Sequence, residues 1–467
     1  MNLERLYLRL PIALQNVGCT LEGFRIQQKR FGAGFRGRLA EAERRGAFSD
    51  EQIREYRDQK LRRFVAHCAT TVPYYRKVFR ELGARPDDIR GLDDLKILPV
   101  LRKKTVQERG TEFVSDLVRE YNCDFVHTSG TTGGGLQLLA TDTAIEEQWA
   151  TWWRYRRWHG IQPGTWCAYF GGRSLVPPGQ SSPPFWRVNL AGQQLFFSAY
   201  HLTHENLKLY AQKLRNSRIP WLHGYPSRLA LIAACIVETG FDLGYQPKWV
   251  TVGAENLLSS QAEVIELAFG ARPVQHYGMA EAVANISECP KGRLHVDEDF
   301  AAVEFPEDEL GRRNVIGTNF SNYATPLLRY DAQDVVWMGT HGCDCGLPGR
   351  VIECLDGRLE DYIVLKNGVR VGRLDHVFKD MVRVHEAQVV QDEPGRIRVR
   401  VVRGPGYSAA DENALRESFA QRLGVGTDVE MEYVDRLQRG SSGKLRFVIS
   451  ELRESQLANV SAERDCP

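Results

Sequence analysis

An α/β protein with a mainly parallel sheet is the fold class this sequence predicts, and three observations lead there. From Trp221 onward, short apolar runs alternate with helical segments: Trp221-Leu222-His223-Gly224, Leu229 to Thr239, Trp249 to Val252, Gln261 to Phe269 and Val274 to Tyr277. Such alternation is the pattern of parallel strands joined by crossover helices. From about Leu294 to Ile352 the apolar runs turn shorter and less regular, which predicts a small β-rich subdomain. A boundary follows near Leu355-Asp356-Gly357-Arg358, so residues 1–356 read as a large N-terminal domain of sheets flanked by helices, and residues 357–467 as a small α+β C-terminal domain.

Taken in order, residues 1–65 read as helical and charged, and the basic run Arg25 to Arg30 as a solvated helix face. Ser49-Asp50-Glu51-Gln52 offers a capped helix start, continued by Ile53, Tyr56, Leu61, Phe64 and Val65 at helical spacing and broken at Thr71-Val72-Pro73. Thr143 to His159 reads as a helix carrying Trp149, Trp152, Trp153, Tyr155 and Trp158. That density fits core packing or a domain contact, with a substrate-lining role for one or two as the alternative. Trp166 to Gly172 is a short strand, and the proline-rich stretch Leu175 to Trp186 a loop. In the last unit, strands are expected around Ala387–Gln391, Arg396–Arg403 and Val429–Tyr433, with a helix from Asp411 to Leu423 between them.

Composition narrows the function. The 467 residues, 43% hydrophobic and 26% charged, describe a soluble globular chain with room for two or three domains. A net charge of +2 points to neither nucleic acid nor an anionic membrane. The apolar stretch Leu229–Val237 is too short to span a bilayer, and the N-terminus, with Glu4 in it, does not read as a secretory signal. A cytoplasmic enzyme is the expectation. Its ten cysteines should then be mostly thiols or metal ligands rather than disulfides.

Chemistry concentrates in the glycine-bearing segments. Thr128-Ser129-Gly130-Thr131-Thr132-Gly133-Gly134-Gly135 lies between the strand-like runs Phe125-Val126 and Leu136 to Ala140. Glycines let successive N–H groups converge on one anion, and the hydroxyls add donors for phosphate. The segment is not a GxxxxGK[ST] loop, and taken by itself a polar hairpin turn is the favoured reading. Ligands of parallel sheets bind beyond the carboxyl ends of the strands. Here those ends are Gly253-Ala254-Glu255 and Gly278-Met279-Ala280-Glu281, so their acids are better candidates than surface acids.

Five segments in this order resemble the adenylate-forming superfamily of acyl-CoA synthetases, adenylation domains and luciferases. Within it, the chain is similar to the phenylacetate–CoA ligase branch and to its CapK-type proteins, over essentially all residues and including Leu6-Tyr7, Pro11 and Leu14-Gln15-Asn16. The resemblance implies that Thr128, Ser129, Gly130, Thr131, Thr132 and Gly133 grip the β- and γ-phosphates of ATP. It implies that Tyr277, Gly278 and Met279 lie near adenine, with Glu281 serving Mg²⁺ and Gly253, Ala254 and Glu255 lining the adenine pocket. Asp334, in Tyr330-Asp331-Ala332-Gln333-Asp334, would hold the ribose hydroxyls. Arg358 would lie near the nucleotide and Glu360 at a hinge about which the C-terminal domain rotates, bringing Lys444 to the carboxylate and α-phosphate. His223, Tyr225 and Pro226 are expected to touch the acid substrate.

The implied function is ATP-dependent activation of a carboxylic acid to an acyl-adenylate with release of pyrophosphate. Transfer to CoA, an amine or another acceptor would follow. AMP transfer to a hydroxyl and a degenerate nucleotide-binding protein are the alternatives, and a homodimer is left open. The sequence departs from the family at Gly134-Gly135-Leu136, where many relatives place proline and lysine, and at Asp331, where an arginine is common; Arg329 is a candidate replacement. Finally, Cys289 and His295, with Cys343 and Cys345, form two close pairs of soft ligands that suggest a closed Cys₃His zinc site. The spacing is not that of a finger, and His341 is an alternative ligand. Some relatives on this branch carry a zinc here.

Overall fold

The computed structural model describes residues 6–127, 136–172, 175–177, 180–198, 201–202, 204–255, 257, 259–307, 313–339, 341–357, 362–366, 370–372, 374, 377, 384–403, 406–424, 426–435, 437, 448–450 and 452. Helices lead: α1 (Ile12–Arg30), α2 (Phe35–Arg45), α3 (Asp50–Thr71), α4 (Pro73–Leu82) and α5 (Lys103–Glu108). Ser49 caps α3 as its sequence predicts, its hydroxyl accepting from the Gln52 amide at 3.2 Å while the Gln52 side chain accepts from the Ser49 amide at 2.9 Å. Pro73 ends α3 and also opens α4, since a proline in the first turn leaves no amide unsatisfied. The hairpin β1 (Cys123–His127) and β2 (Gln137–Thr141) flanks the glycine-rich segment, and Thr141 caps α6 (Asp142–Trp158).

A doubly covered parallel sheet follows: β3 (Cys167–Phe170), β4 (Trp186–Asn189), β5 (Gln194–Phe197), α7 (His204–Ser217), β6 (Trp221–Gly224), α8 (Pro226–Thr239), β7 (Trp249–Gly253), α9 (Ser259–Phe269) and β8 (Pro273–Gly278). β5, β3, β6, β7 and β8 pair in parallel, as the alternation predicts, while β4 adds an antiparallel edge. Alternate residues face opposite ways. Ala168, Phe170, Leu222, Val250 and Val252 join the core under α7–α9, and Cys167 and Trp221 join Ala150 and Trp153 under α2 and α6.

The next strands are β9 (Asn285–Glu288), β10 (Leu294–Val296), β11 (Ala301–Glu304), β12 (Arg313–Asn319), β13 (Tyr330–Met338) and β14 (Val351–Gly357). They are not uniformly shorter, as the sequence pattern suggested: β12 has 7 residues and β13 has 9. Nor do they stand apart from the parallel sheet. β9 pairs antiparallel with β8, so one 12-stranded sheet runs in the order β11-β12-β13-β14-β10-β9-β8-β7-β6-β3-β5-β4. Two-residue alternation along antiparallel strands is diluted where both faces are covered, which explains the irregular pattern.

After β14, the hairpin β15 (Tyr362–Val364) and β16 (Arg370–Gly372) precedes a second sheet built from β17 (Val384–Glu393), β18 (Arg396–Arg403), β19 (Asp428–Tyr433) and β20 (Val448–Ser450), with α10 (Ala409–Leu423) upon it. This C-terminal unit has a core of its own around Val389, Val399, Leu415 and Phe419. No helix among the described residues is long and apolar enough to cross a membrane. Eight cysteines among the described residues are free thiols, in line with expectation; Cys354 departs from it and is disulfide-bonded.

Three consecutive acids between β10 and β11 bind the helices to the sheet. Arg154 of α6 reaches Asp297 and Asp299, each at 2.6 Å, and Arg45 of α2 reaches Asp299 at 2.7 Å. Arg57 of α3 meets Glu298 at 2.6 Å and Arg350 meets it from the other side at 2.5 Å. All three carboxylates are buried. Burial alone would raise the pKa of Asp299, yet Arg154 and Arg45 hold it below the ordinary carboxylate range. Arg154→Leu would leave the buried Asp297 without a cation and Asp299 with Arg45 alone, so it is expected to cost about 3–5 kcal/mol of stability, read as a lower urea midpoint.

Candidate active site

The parallel strands deliver their carboxyl ends to one edge, and a cavity of about 1320 Å³ opens there between the sheet and the helices α1, α2 and α6. Its walls include Trp149, Trp152 and Trp153 of α6, Tyr169 of β3, Trp221 and His223 of β6, and His276 of β8. At the strand ends it is bounded by Gly224, Tyr225, Gly253, Ala254 and Gly278. Gly224 allows β6 to pass close to β3: a Cβ there would stand 2.5 Å from the Phe170 carbonyl oxygen. Of the expected substrate residues, His223 and Tyr225 line the cavity. Pro226 is instead buried as the first residue of α8, where its fixed φ suits the helix start.

Two motifs far apart in the sequence meet beside this cavity. The Tyr277 hydroxyl donates to Asp334 at 2.8 Å, and the Tyr330 hydroxyl donates to Glu281 at 3.4 Å. α6 fixes the intervening segment, because the Gln148 amide donates to the Met279 carbonyl at 3.0 Å. Four non-glycine residues with left-handed backbone abut these motifs: Ala254 (φ 65°), Ala282 (φ 55°), Arg329 (φ 51°) and Gln333 (φ 61°). Such conformations cost about 1–3 kcal/mol each and gather where a site must be held in shape. Glu255 is drawn away from the motif by Arg422 of α10, in a buried ion pair of 3.1 Å. Arg329 chelates Glu304 at 2.7 and 2.8 Å and donates to the Leu98 carbonyl, so it does not replace the family's arginine near the nucleotide. Thr128, Ser129, Gly130, Thr131, Thr132, Gly133, Arg358, Glu360 and Lys444 lie outside the described residues.

Electrostatics on the cavity wall are set by burial. His223 is lowered to about 3 and His276 to about 4, in both cases by desolvation first and with the Arg156 guanidinium adding to it. His223 Nδ1 lies 2.9 Å from the Thr251 hydroxyl and 3.2 Å from the Thr251 carbonyl. His276 Nε2 donates to the Asn285 side-chain oxygen at 2.8 Å, an oxygen that also accepts from the Trp152 indole at 2.8 Å. Sequence reading missed Asn285 and Arg156. The tryptophan cluster marks the helix on which Arg156 sits, but nothing local distinguishes Arg156 from its neighbour Arg157.

A second cluster stands apart from the cavity, where β9 and β10 meet the link between β13 and β14. One ligand atom from each of Cys289, His295, Cys343 and Cys345 lies within 4.8 Å of the others. Cys289 Sγ and Cys343 Sγ are 3.8 Å apart, and Cys345 Sγ is 3.4 Å from His295 Nε2. Tetrahedral zinc with Zn–S bonds of about 2.3 Å separates its sulfurs by about 3.8 Å, so this donor set fits the ion. The Pro348 carbonyl, 3.2 Å from His295 Nδ1, fixes the tautomer that leaves Nε2 to a metal. His341 is not in the group.

Comparison with known proteins agrees with this arrangement. Residues 363–451 match the family of the CapK C-terminal domain. The chain is 24% identical to Protein CapK of Staphylococcus aureus, over 97% of this chain and 100% of that one. It is 24% identical to a phenylacetate–coenzyme A ligase of Thermus thermophilus, over 85% of this chain and 96% of that one. Among solved structures, 2-hydroxyisobutyryl-CoA ligase, in complex with its acyl-adenylate and CoA, superposes with a TM-score of 0.58 at 18% identity, covering 90% of this chain and 94% of that one. The fold is thus that of an adenylate-forming ligase structure. In sequence the chain is similar to CapK and to the phenylacetate–CoA ligases, and its C-terminal residues match the CapK family model.

Because His223 and His276 are held neutral when folded, protons bind the unfolded chain more readily below the ordinary histidine pKa of about 6.5. Stability is therefore expected to fall as pH drops from 7 to 5. In His223→Asn, thermal melting should show a shallower fall over the same range.

Proposed function

We propose that the protein is an AMP-forming ligase that activates a carboxylic acid at the expense of ATP. The observation that carries this reading is the Tyr277–Asp334 hydrogen bond of 2.8 Å. It joins the adenine motif to the ribose acid at the rim of a cavity large enough for an acyl group. In the first half-reaction a carboxylate oxygen bonds to the α-phosphorus, and the bond to the pyrophosphate oxygen breaks. In the second, a nucleophile bonds to the acyl carbon and AMP leaves.

Two anions must approach one another in the first step, so positioning and preorganised positive charge dominate the catalysis. In this reading Tyr277 and the backbone from Gly253 to Ala254 bound the adenine, and Asp334 receives the ribose hydroxyls. Its hydrogen bond from Tyr277 supports that role by fixing the carboxylate. Glu281 would hold Mg²⁺, which neutralises phosphate charge when bound; one carboxylate plus substrate phosphates is a usual ligand set for that ion. The segment from Thr128 to Gly133 supplies phosphate donors. Lys444, on a unit spanning residues 357–467 that turns about Glu360, supplies the mobile cation, with Arg358 beside the nucleotide. The large unit, residues 1–356, carries the rest. The acceptor is CoA or an amine.

Exchange of labelled pyrophosphate into ATP, run across a panel of acids, tests the reading. Lys444→Ala is expected to slow acid-dependent exchange by ~10²–10³, the usual effect of removing one transition-state donor. Exchange at the full rate in that variant, or with no acid added, would reject the assignment.

We also assign Cys289, His295, Cys343 and Cys345 to a structural zinc, supported by the fit of their spacing. With all four positions filled by protein, the ion would pin the link after β13 to the strands that follow Glu281. Elemental analysis of the purified chain should find one zinc per molecule. Cys343→Ser should lose that zinc and melt at a lower temperature.

A further inference from the structure

Arg156 is a buried cation that meets no anion among the described residues. It is 8% exposed, and no carboxylate pairs with it among the described residues. Its Nε makes no hydrogen bond. The guanidinium sits among three indoles, 5.0 Å from the ring of Trp153, 5.3 Å from Trp221 and 5.7 Å from Trp149. Ring faces stabilise the charge in part, but they leave its donors in the ring plane unused. Elsewhere in this chain, buried arginines of the helical layer are met by acids, as Arg45, Arg57 and Arg154 are. Arg156 lines the cavity instead, and its charge depresses both cavity histidines. The one carboxylate on the cavity wall among the described residues, Glu43, is engaged by Arg157 at 2.7 and 2.9 Å.

We infer that the acid held in this cavity carries a second anionic group at its far end, and that Arg156 receives it. The inference rests on the reading of the cavity as the acyl site. Arg156 stacks beside Trp221, at the amino end of β6, whereas the nucleotide motifs stand beyond its carboxyl end at Gly224. At ~3.3 Å per residue, the span from Trp221 to Gly224 is about 10 Å. A bifunctional acid of that reach places one carboxylate at the nucleotide and the other on the guanidinium, with its apolar middle between the aromatic walls. A planar guanidinium suits such a group because two of its N–H bonds can point at two oxygens of one anion.

Matched pairs of acids test this: 1,4-phenylenediacetate against phenylacetate, and suberate against octanoate. Binding is read by the fluorescence of the cavity tryptophans without ATP, and activation by pyrophosphate exchange. The wild-type chain is expected to favour each diacid by at least ~10²-fold, since a site with a buried donor rejects the analogue that cannot use it. In Arg156→Met that ratio should collapse to within about threefold, and Arg156→Lys should recover part of it. The melting temperature of Arg156→Met should hold or rise, because no partner is stranded. Equal binding of mono- and diacids by the wild-type chain would overturn the inference. So would a variant that weakens both members of a pair alike, which would put the reacting carboxylate on Arg156. Diacid-selective fluorescence without any acid-dependent exchange would sustain the inference and reject the activation chemistry instead.

Discussion

The site depends first on the buried acids Asp297, Glu298 and Asp299 and the arginines that reach them from three helices and one loop. A single buried carboxylate would be costly, and a row of three more so. Here each is met by a guanidinium in near-ideal geometry, and Asp297 also accepts from Ser287 at 2.7 Å and from Asn285 at 2.5 Å. The second contact carries the restraint outward. Asn285 spends its amide hydrogens on this network and its oxygen on Trp152 and His276, two residues of the cavity wall. The aromatic side of the cavity is thus oriented by a polar core behind it.

The continuous sheet brings one cavity and two sequence motifs together. Its parallel half ends in glycine-bearing turns, and the cavity runs along the sheet from Trp221 at the amino end of β6 to those turns. Its antiparallel half carries β13, from which Tyr330 and Asp334 reach Glu281 and Tyr277 through their side chains. β8 belongs to both halves, pairing in parallel with β7 and antiparallel with β9. The residue that follows this switch, Met279, packs into the cores on either side. Left-handed residues at the exits of these strands are the local distortion that the junction requires.

Much of this was legible in the sequence. Apolar runs closed by glycine marked β6, β7 and β8, and a Ser-x-x-Gln signature marked the start of α3, because those signals are local. The pairing of β10 with β14, the fusion of two expected units into one sheet, and the acids at 297–299 were not legible. Partners there are separated by tens to hundreds of residues, and no window of sequence contains both. Arg156 is the sharpest case. It is adjacent to Arg157 and identical in type, yet one step of 100° around the helix turns Arg157 to Glu43 and Arg156 in among three indoles. Charge in a sequence does not reveal which way it will point.

The ion pair between Glu255 and Arg422 ties the exit of β7 to the last turn of α10, with side chains only 8% and 5% exposed. Water cannot readily take over from either partner while they remain in contact. Swinging the C-terminal unit would hydrate both at once, and the left-handed turn at Ala254 would lose its tether in the same instant. The exit of β7 and the C-terminal unit are therefore mechanically geared, so that whatever relaxes one loosens the other.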